Sequence, residues 1–88
     1  MKNYAVVITF SHDPHVSVLL FDTWGEALVF IKKDILEEYE IDTKENELDS
    51  EYEIYEADGR AVLTTQYKSG PEVTEWRIGT VFERNKEE

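Results

Sequence analysis

The chain has 88 residues, with 20 acidic and 9 basic side chains and a formal net charge of −11. This length suits a single domain, and a hydrophobic fraction of 41% is too high for a disordered acidic tail. The chain contains no cysteine, which excludes thiolate catalysis, thiolate metal sites and disulfide bonds.

The negative charge is concentrated in the middle of the chain. Residues 34–58 contain 12 of the 20 acids but only one of the 9 bases, Lys44. Nucleic acids and anionic membranes bind basic surfaces, so we expect no direct binding to either. The apolar run near the N-terminus lacks the cleavage site of a signal peptide and the length of a membrane span, and we therefore expect a cytoplasmic protein.

The first predicted element is a β-hairpin. Residues 4–10 and 15–21 are rich in β-branched and aromatic side chains and flank a polar turn at residues 11–14. With Phe10 opposite His15, both faces of the hairpin are apolar, and one helix cannot cover both. We expect part of the hairpin to be exposed or to pack on a second copy of the chain. The candidate dimer contacts are Tyr4, Val6, Ile8, Leu19 and Phe21.

A helix is predicted next. Thr23 and Glu26 have the spacing of a capping box, with Thr23 as the N-cap. Apolar side chains then recur at intervals of three and four residues at positions 24, 27, 28, 31, 35 and 39, which predicts a helix with one face on the core. Acidic residues crowd its end and no glycine caps it, so we expect the helix to fray between Glu40 and Lys44.

Three further strands are predicted over residues 51–56, 60–67 and 73–82. An Asp58-Gly59 turn would place Ile54 opposite Leu63, and a turn at Ser69-Gly70 would place Leu63 opposite Trp76. We expect both tryptophans, Trp24 and Trp76, in the core. The predicted fold is a β-β-α-β-β-β domain of the α+β class, in which one helix packs on a mainly antiparallel, five-stranded sheet. The domain spans residues 1–84 and residues 85–88 form a loose tail.

Few residues have a pattern typical of catalysis or metal binding. His12, Asp13 and His15 could act as Zn²⁺ or Ni²⁺ ligands, but no second cluster completes a site. Ser11 precedes His12 without the glycine-flanked turn of a nucleophile elbow. We expect no enzyme activity, cofactor or metal, and keep a small hydrolase or metal-binding protein using His12 and His15 as an alternative.

The charge pattern supports one main functional hypothesis. We expect a non-enzymatic interaction module that presents a carboxylate-rich face, drawn from residues 34–58, to a basic protein. Two alternatives are a structural homodimer through the first hairpin and a nucleic-acid-mimicking inhibitor of a DNA- or RNA-binding protein. A surface that only maintains solubility is the simplest explanation of the charge. The candidate partner-binding residues are Asp34, Glu37, Glu38, Glu40, Asp42, Glu45, Glu47 and Asp49.

Overall fold

A computed structural model describes residues 1–81 of the chain. The regular elements, in chain order, are β1 (Tyr4–Phe10), β2 (Asp13–Phe21), α1 (Trp24–Glu40), a π-helix (Ile41–Glu45), β3 (Asp49–Tyr55), a 3₁₀ turn (Glu56–Asp58), β4 (Arg60–Tyr67) and β5 (Gly70–Thr80). The end of the predicted fifth strand and the predicted domain boundary at residue 84 lie outside the described residues. Within residues 1–81, no helix is long and apolar enough to cross a membrane.

The five strands form one antiparallel sheet in the order β2-β1-β5-β4-β3. The pairing of β1 with β5, in which Ile8 lies opposite Trp76, joins the two halves of the chain at the centre of the sheet. Helix α1 packs on one side, which we call the helix side, and the other side is the open side. The predicted α+β fold is therefore confirmed.

The core lies between α1 and the three central strands. The helix contributes Ala27, Ile31 and Ile35, all fully buried, so the predicted apolar stripe faces the sheet. Trp76 is also buried, as predicted, at 1% exposure. Trp24 differs from the prediction, because it is 38% exposed and packs on Tyr4 outside the core. The sheet residues of the core are Val6, Ile8, Ala61, Leu63, Trp76 and Ile78.

The two ends of α1 are built differently. At the N-terminus, the Thr23 hydroxyl accepts a hydrogen bond of 3.1 Å from the Glu26 N–H, which confirms the predicted N-cap. At the C-terminus, the α-helix stops at Glu40 but the chain continues as a π-helix to Glu45. Glu47 then adopts a left-handed conformation with φ 54°, a position usually taken by glycine.

The register of the first hairpin follows the prediction except at its tip. Val7 lies opposite Val18 as expected, but a bulge at Thr9 and Phe10 brings Phe10 opposite Asp13 rather than His15. Strand β2 therefore begins two residues earlier than predicted, at Asp13.

The registers of the other two hairpins are each shifted by two residues. Ala61, not Leu63, pairs with both Ile54 and Trp76. The first shift arises because the chain turns through the 3₁₀ segment and a left-handed Gly59, which makes a longer loop than the predicted two-residue turn. In the hairpin of β4 and β5, the turn consists of residues 68 and 69 instead of the predicted Ser69-Gly70. A shift of two residues keeps every side chain on its predicted side of the sheet.

Candidate functional site

The acidic residues of the middle segment lie on two sides of the molecule. Tyr52 pairs with buried Leu63, and Ile54 with buried Ala61, so both belong to the helix side. The alternating residues Asp49, Glu51 and Glu53 consequently lie on the open side. The prediction of one continuous carboxylate face is therefore corrected, because Asp49 and the acids of α1 are separated by the sheet.

Asp42 is a structural residue. It is only 8% exposed, and its Oδ2 atom accepts a hydrogen bond of 2.6 Å from the Thr65 hydroxyl. The Ser50 hydroxyl lies 2.6 Å from the same Thr65 oxygen and extends the network to β3. The sequence predicts Asp42 as a partner-binding residue, and its burial corrects that assignment. A sequence signal existed, since position 42 continues the apolar stripe through Ile35 and Tyr39.

Two other predicted residues already have partners. Asp34 is half-buried, and its Oδ2 atom accepts a hydrogen bond of 2.9 Å from Trp76 Nε1. Glu40 forms an exposed ion pair of 3.4 Å with Lys44, one turn along the helix. Asp34 is thereby held in place, whereas the Glu40 pair is of a kind that contributes little to stability.

The remaining predicted acids, on α1, at the end of the π-helix and just after it, are exposed. Among residues 1–81, no salt bridge involves Glu37, Glu38, Glu45 or Glu47. The last turn of α1 contains no basic residue. We refer to these four residues as the helix-end carboxylates. They lie where the helix dipole is negative, so a cation is favoured there.

The charges at the helix end act on one another. Loss of surrounding water raises the pKa of Glu38, and the negative charges of Asp34, Asp42 and Glu37 raise it further. Burial, followed by the charges of Asp42, Glu72 and Glu38, raises the pKa of Tyr67 at the end of β4. Carboxylates from α1, the π-helix and β5 therefore crowd the same end of the molecule.

The arginines of the described chain do not neutralise this region. Arg60 and Arg77 lie on the open side, where both contact Glu75. The Arg60 hydrogen bond holds the pKa of Glu75 below its usual value, and the charge of Arg77 lowers it further. Lys32 pairs with Glu56 at 3.0 Å on the flank of α1. The helix end thus keeps its negative charge.

A cleft opens on the helix side, next to these carboxylates. It encloses about 230 Å³ between α1 and strands β1 and β5, and we call it the α1–β1 cleft. Its floor is apolar and its helix wall carries two carboxylates. The lining residues are Ile8, Phe10, Asp34, Glu38, Thr74 and Trp76.

The predicted dimer contacts belong to the covered side of the first hairpin. Val6 is fully buried and Ile8 is 7% exposed, so neither can contact a second copy. Tyr4, Leu19 and Phe21 are half-buried and pack against the core. This prediction is corrected, because α1 covers the side of the hairpin that carries all five residues.

The open side of the same hairpin is the exposed apolar surface. Val16, Val18 and Leu20 alternate along β2 and are 54%, 57% and 50% exposed. Strand β2 also forms one edge of the sheet. Both sides of the hairpin are apolar, so the sequence pattern could not indicate on which side the helix would pack.

The two histidines of the first turn have separate partners. His15 Nδ1 lies 2.7 Å from Asp13 Oδ1, and His12 Nε2 lies 3.4 Å from Glu72 Oε1. The Ser11 hydroxyl accepts a hydrogen bond of 2.9 Å from the Val73 N–H. In the described part of the chain, no three histidine or carboxylate side chains are grouped so that they could hold a metal ion. Ser11 and His12 therefore have different partners, Val73 and Glu72, and the contact between His15 and Asp13 is local.

No family model matches this sequence, and searches of curated proteins and of solved structures find no significant match. The function is therefore inferred from the side chains and surfaces described above.

Proposed function

We propose that this domain is a non-enzymatic interaction module whose helix-end carboxylates bind a basic protein. The observation that carries the proposal is the set of four exposed carboxylates without a salt bridge in residues 1–81. They lie in the last turn of α1, which has no basic residue, or beyond it, and Lys44, the base of the π-helix, is paired with Glu40. A positively charged partner would complement both the side chains and the helix dipole.

The helix-end carboxylates do not stabilise the free domain, which supports a role in binding a partner. Each acid near a helix C-terminus destabilises the fold by about 0.3–1 kcal/mol at low salt. Loss of water, followed by the negative charges of Asp34, Asp42 and Glu37, raises the pKa of Glu38 and so also disfavours its charged form. A bound cation would relieve this repulsion, and long-range attraction would speed the encounter of the two proteins.

A calorimetric titration with hexalysine at low salt tests the proposal. The variant E37Q/E45Q removes two helix-end charges, and the control E51Q/E53Q removes two charges from the open side. We expect the first variant to weaken binding by about fivefold, which corresponds to about 0.5 kcal/mol per exposed pair, and the control to weaken it far less. Equal weakening by both variants, or no binding by the native protein, would refute the proposal.

The free protein should also respond to salt. Screening of the carboxylates should raise its melting temperature between low salt and about 0.3 M NaCl, where the Debye length falls well below 10 Å. A melting temperature that does not change with salt would show that the carboxylates do not repel one another, and the proposal depends on that repulsion.

A second candidate function, of a different class, is self-association through the open side of the first hairpin. Three alternating residues of an edge strand, Val16, Val18 and Leu20, are at least half exposed, and such surfaces commonly pair with another chain. Strand β2 lies at the opposite edge from β3, so a second copy bound there would keep the acidic segments of the two chains apart.

Sedimentation at micromolar and at several hundred micromolar protein tests this second candidate. We expect the mass to double at the higher concentration, and Val18→Lys to prevent the doubling. The control Glu53→Lys places the same charge on the open side of the other edge strand and should leave the dimer intact. A native protein that stays monomeric throughout would refute self-association.

A further inference from the structure

The α1–β1 cleft differs in kind from the rest of the acidic surface. Its floor is formed by Ile8 and Trp76, which are 7% and 1% exposed, together with half-buried Phe10. Pockets for drug-sized ligands and cofactors measure about 300–1,000 Å³. A cleft of about 230 Å³ therefore suits one long side chain rather than a cofactor.

Two carboxylates border the apolar floor. The hydrogen bond of 2.9 Å from Trp76 Nε1 fixes Asp34, and it involves only the Oδ2 atom. In residues 1–81 no hydrogen bond or salt bridge involves Asp34 Oδ1 or the carboxylate of Glu38. Glu38 follows Asp34 by four residues, which places both on the same face of α1.

The charges around the cleft are mostly of one sign. Glu38 experiences the negative charges of Asp34, Asp42 and Glu37 in addition to the loss of water. Glu72 from β5 contributes a further carboxylate near this end of the sheet, where it contacts His12. A ligand for the cleft should therefore combine a positive charge with an apolar stem.

Arginine fits this combination better than lysine. Its planar guanidinium forms paired hydrogen bonds with carboxylates, stacks on aromatic rings and is less strongly hydrated than an ammonium group. We propose that the α1–β1 cleft receives one arginine side chain of the basic partner, with the guanidinium bound by Asp34 and Glu38 and its face against the ring of Phe10. This inference rests on the proposed function and names the residue type that the partner must supply.

The test compares hexa-arginine with hexalysine, which have equal length and charge. Calorimetric titrations use the native protein, Glu38→Gln in the cleft wall and the matched control Glu45→Gln, which removes the same charge outside the cleft. We expect the native protein to bind hexa-arginine about tenfold more tightly than hexalysine. Glu38→Gln should abolish most of this preference, whereas Glu45→Gln should weaken both peptides by the same small factor.

A further variant tests the apolar floor without a change of charge. Phe10→Leu should reduce the preference for arginine while leaving the affinity for hexalysine unchanged, because it removes only the aromatic ring. Thermal melts confirm that each variant is folded before titration.

The possible failures are distinguishable. Equal, salt-sensitive affinity of the native protein for both peptides would overturn the arginine site while supporting the acidic docking surface. A preference for arginine that survives Glu38→Gln would also overturn the site. If the native protein binds neither peptide, both proposals are overturned.

Discussion

Thr65→Val tests whether the hydrogen bond from Thr65 to buried Asp42 stabilises the fold. Thr65 is 3% exposed and Asp42 8%, and the threonine hydroxyl lies 2.6 Å from the Asp42 carboxylate. Valine has nearly the shape of threonine but cannot donate a hydrogen bond. The substitution therefore leaves a buried carboxylate without this donor.

The magnitude follows from the nature of the lost bond. A hydrogen bond to a charged group contributes about 1.5–3 kcal/mol. In a domain of this size, each kcal/mol shifts the melting temperature by about 4–8 °C. We expect a loss of about 2 kcal/mol, equivalent to a fall of roughly 8–16 °C in the melting temperature.

Urea titration followed by tryptophan fluorescence measures the loss, since Trp76 is buried in the native state. Asp42→Asn provides the matched background, because its side-chain carbonyl can still accept from Thr65 while carrying no charge. The cost of Thr65→Val should be smaller in that background. A cost below about 0.5 kcal/mol in the native protein would refute the assigned hydrogen bond as a source of stability. An equal cost in both backgrounds would show that the charge of Asp42 does not strengthen it.

Two further predictions concern a turn and an ion pair. Gly59→Ala should destabilise the domain by about 1–3 kcal/mol, because Gly59 has φ 62° and an added Cβ would lie 2.5 Å from Trp24 Cη2. The control is Gly79→Ala, whose added Cβ would meet nothing within 4 Å. Equal urea midpoints for the two variants would contradict this prediction. Glu75 has a lowered pKa, caused first by its hydrogen bond from Arg60, so the stability it provides is present above its usual pKa and is lost as the pH falls through the lowered value. Glu75→Gln should therefore unfold more readily than the native protein at pH 7, and this difference should shrink as the pH falls below 4.5, the usual pKa of the group. A difference that does not change with pH would exclude this linkage.

The sequence predicts the elements of the fold well because their signals are local. The Thr23 cap, the helical stripe and the alternating strands each depend on a few neighbouring residues. The registers of the later hairpins are wrong by two residues because each depends on how its own turn is built, through Gly59 in one hairpin and at residues 68 and 69 in the other. Alternation along a strand fixes the side of the sheet but not the partner across it.

The candidate site is harder to predict because it depends on distant contacts. Asp42 resembles its acidic neighbours in sequence, yet Thr65, 23 residues later, determines its role. The α1–β1 cleft combines Phe10, Asp34 and Trp76 from three separate elements. Such groupings follow from the central pairing of β1 with β5, which no local pattern indicates.

The pairing of β1 with β5 also constrains how the chain can fold. The first strand finds its central partner only after residues 5–79 have been synthesised, since Tyr4 lies opposite Thr80. Until then the first hairpin has two apolar sides and an unprotected inner edge. Contacts between residues so far apart in sequence slow folding. A nascent chain lacking β5 would therefore expose the surface most prone to aggregate, and the domain should fold as a single cooperative unit late in its synthesis.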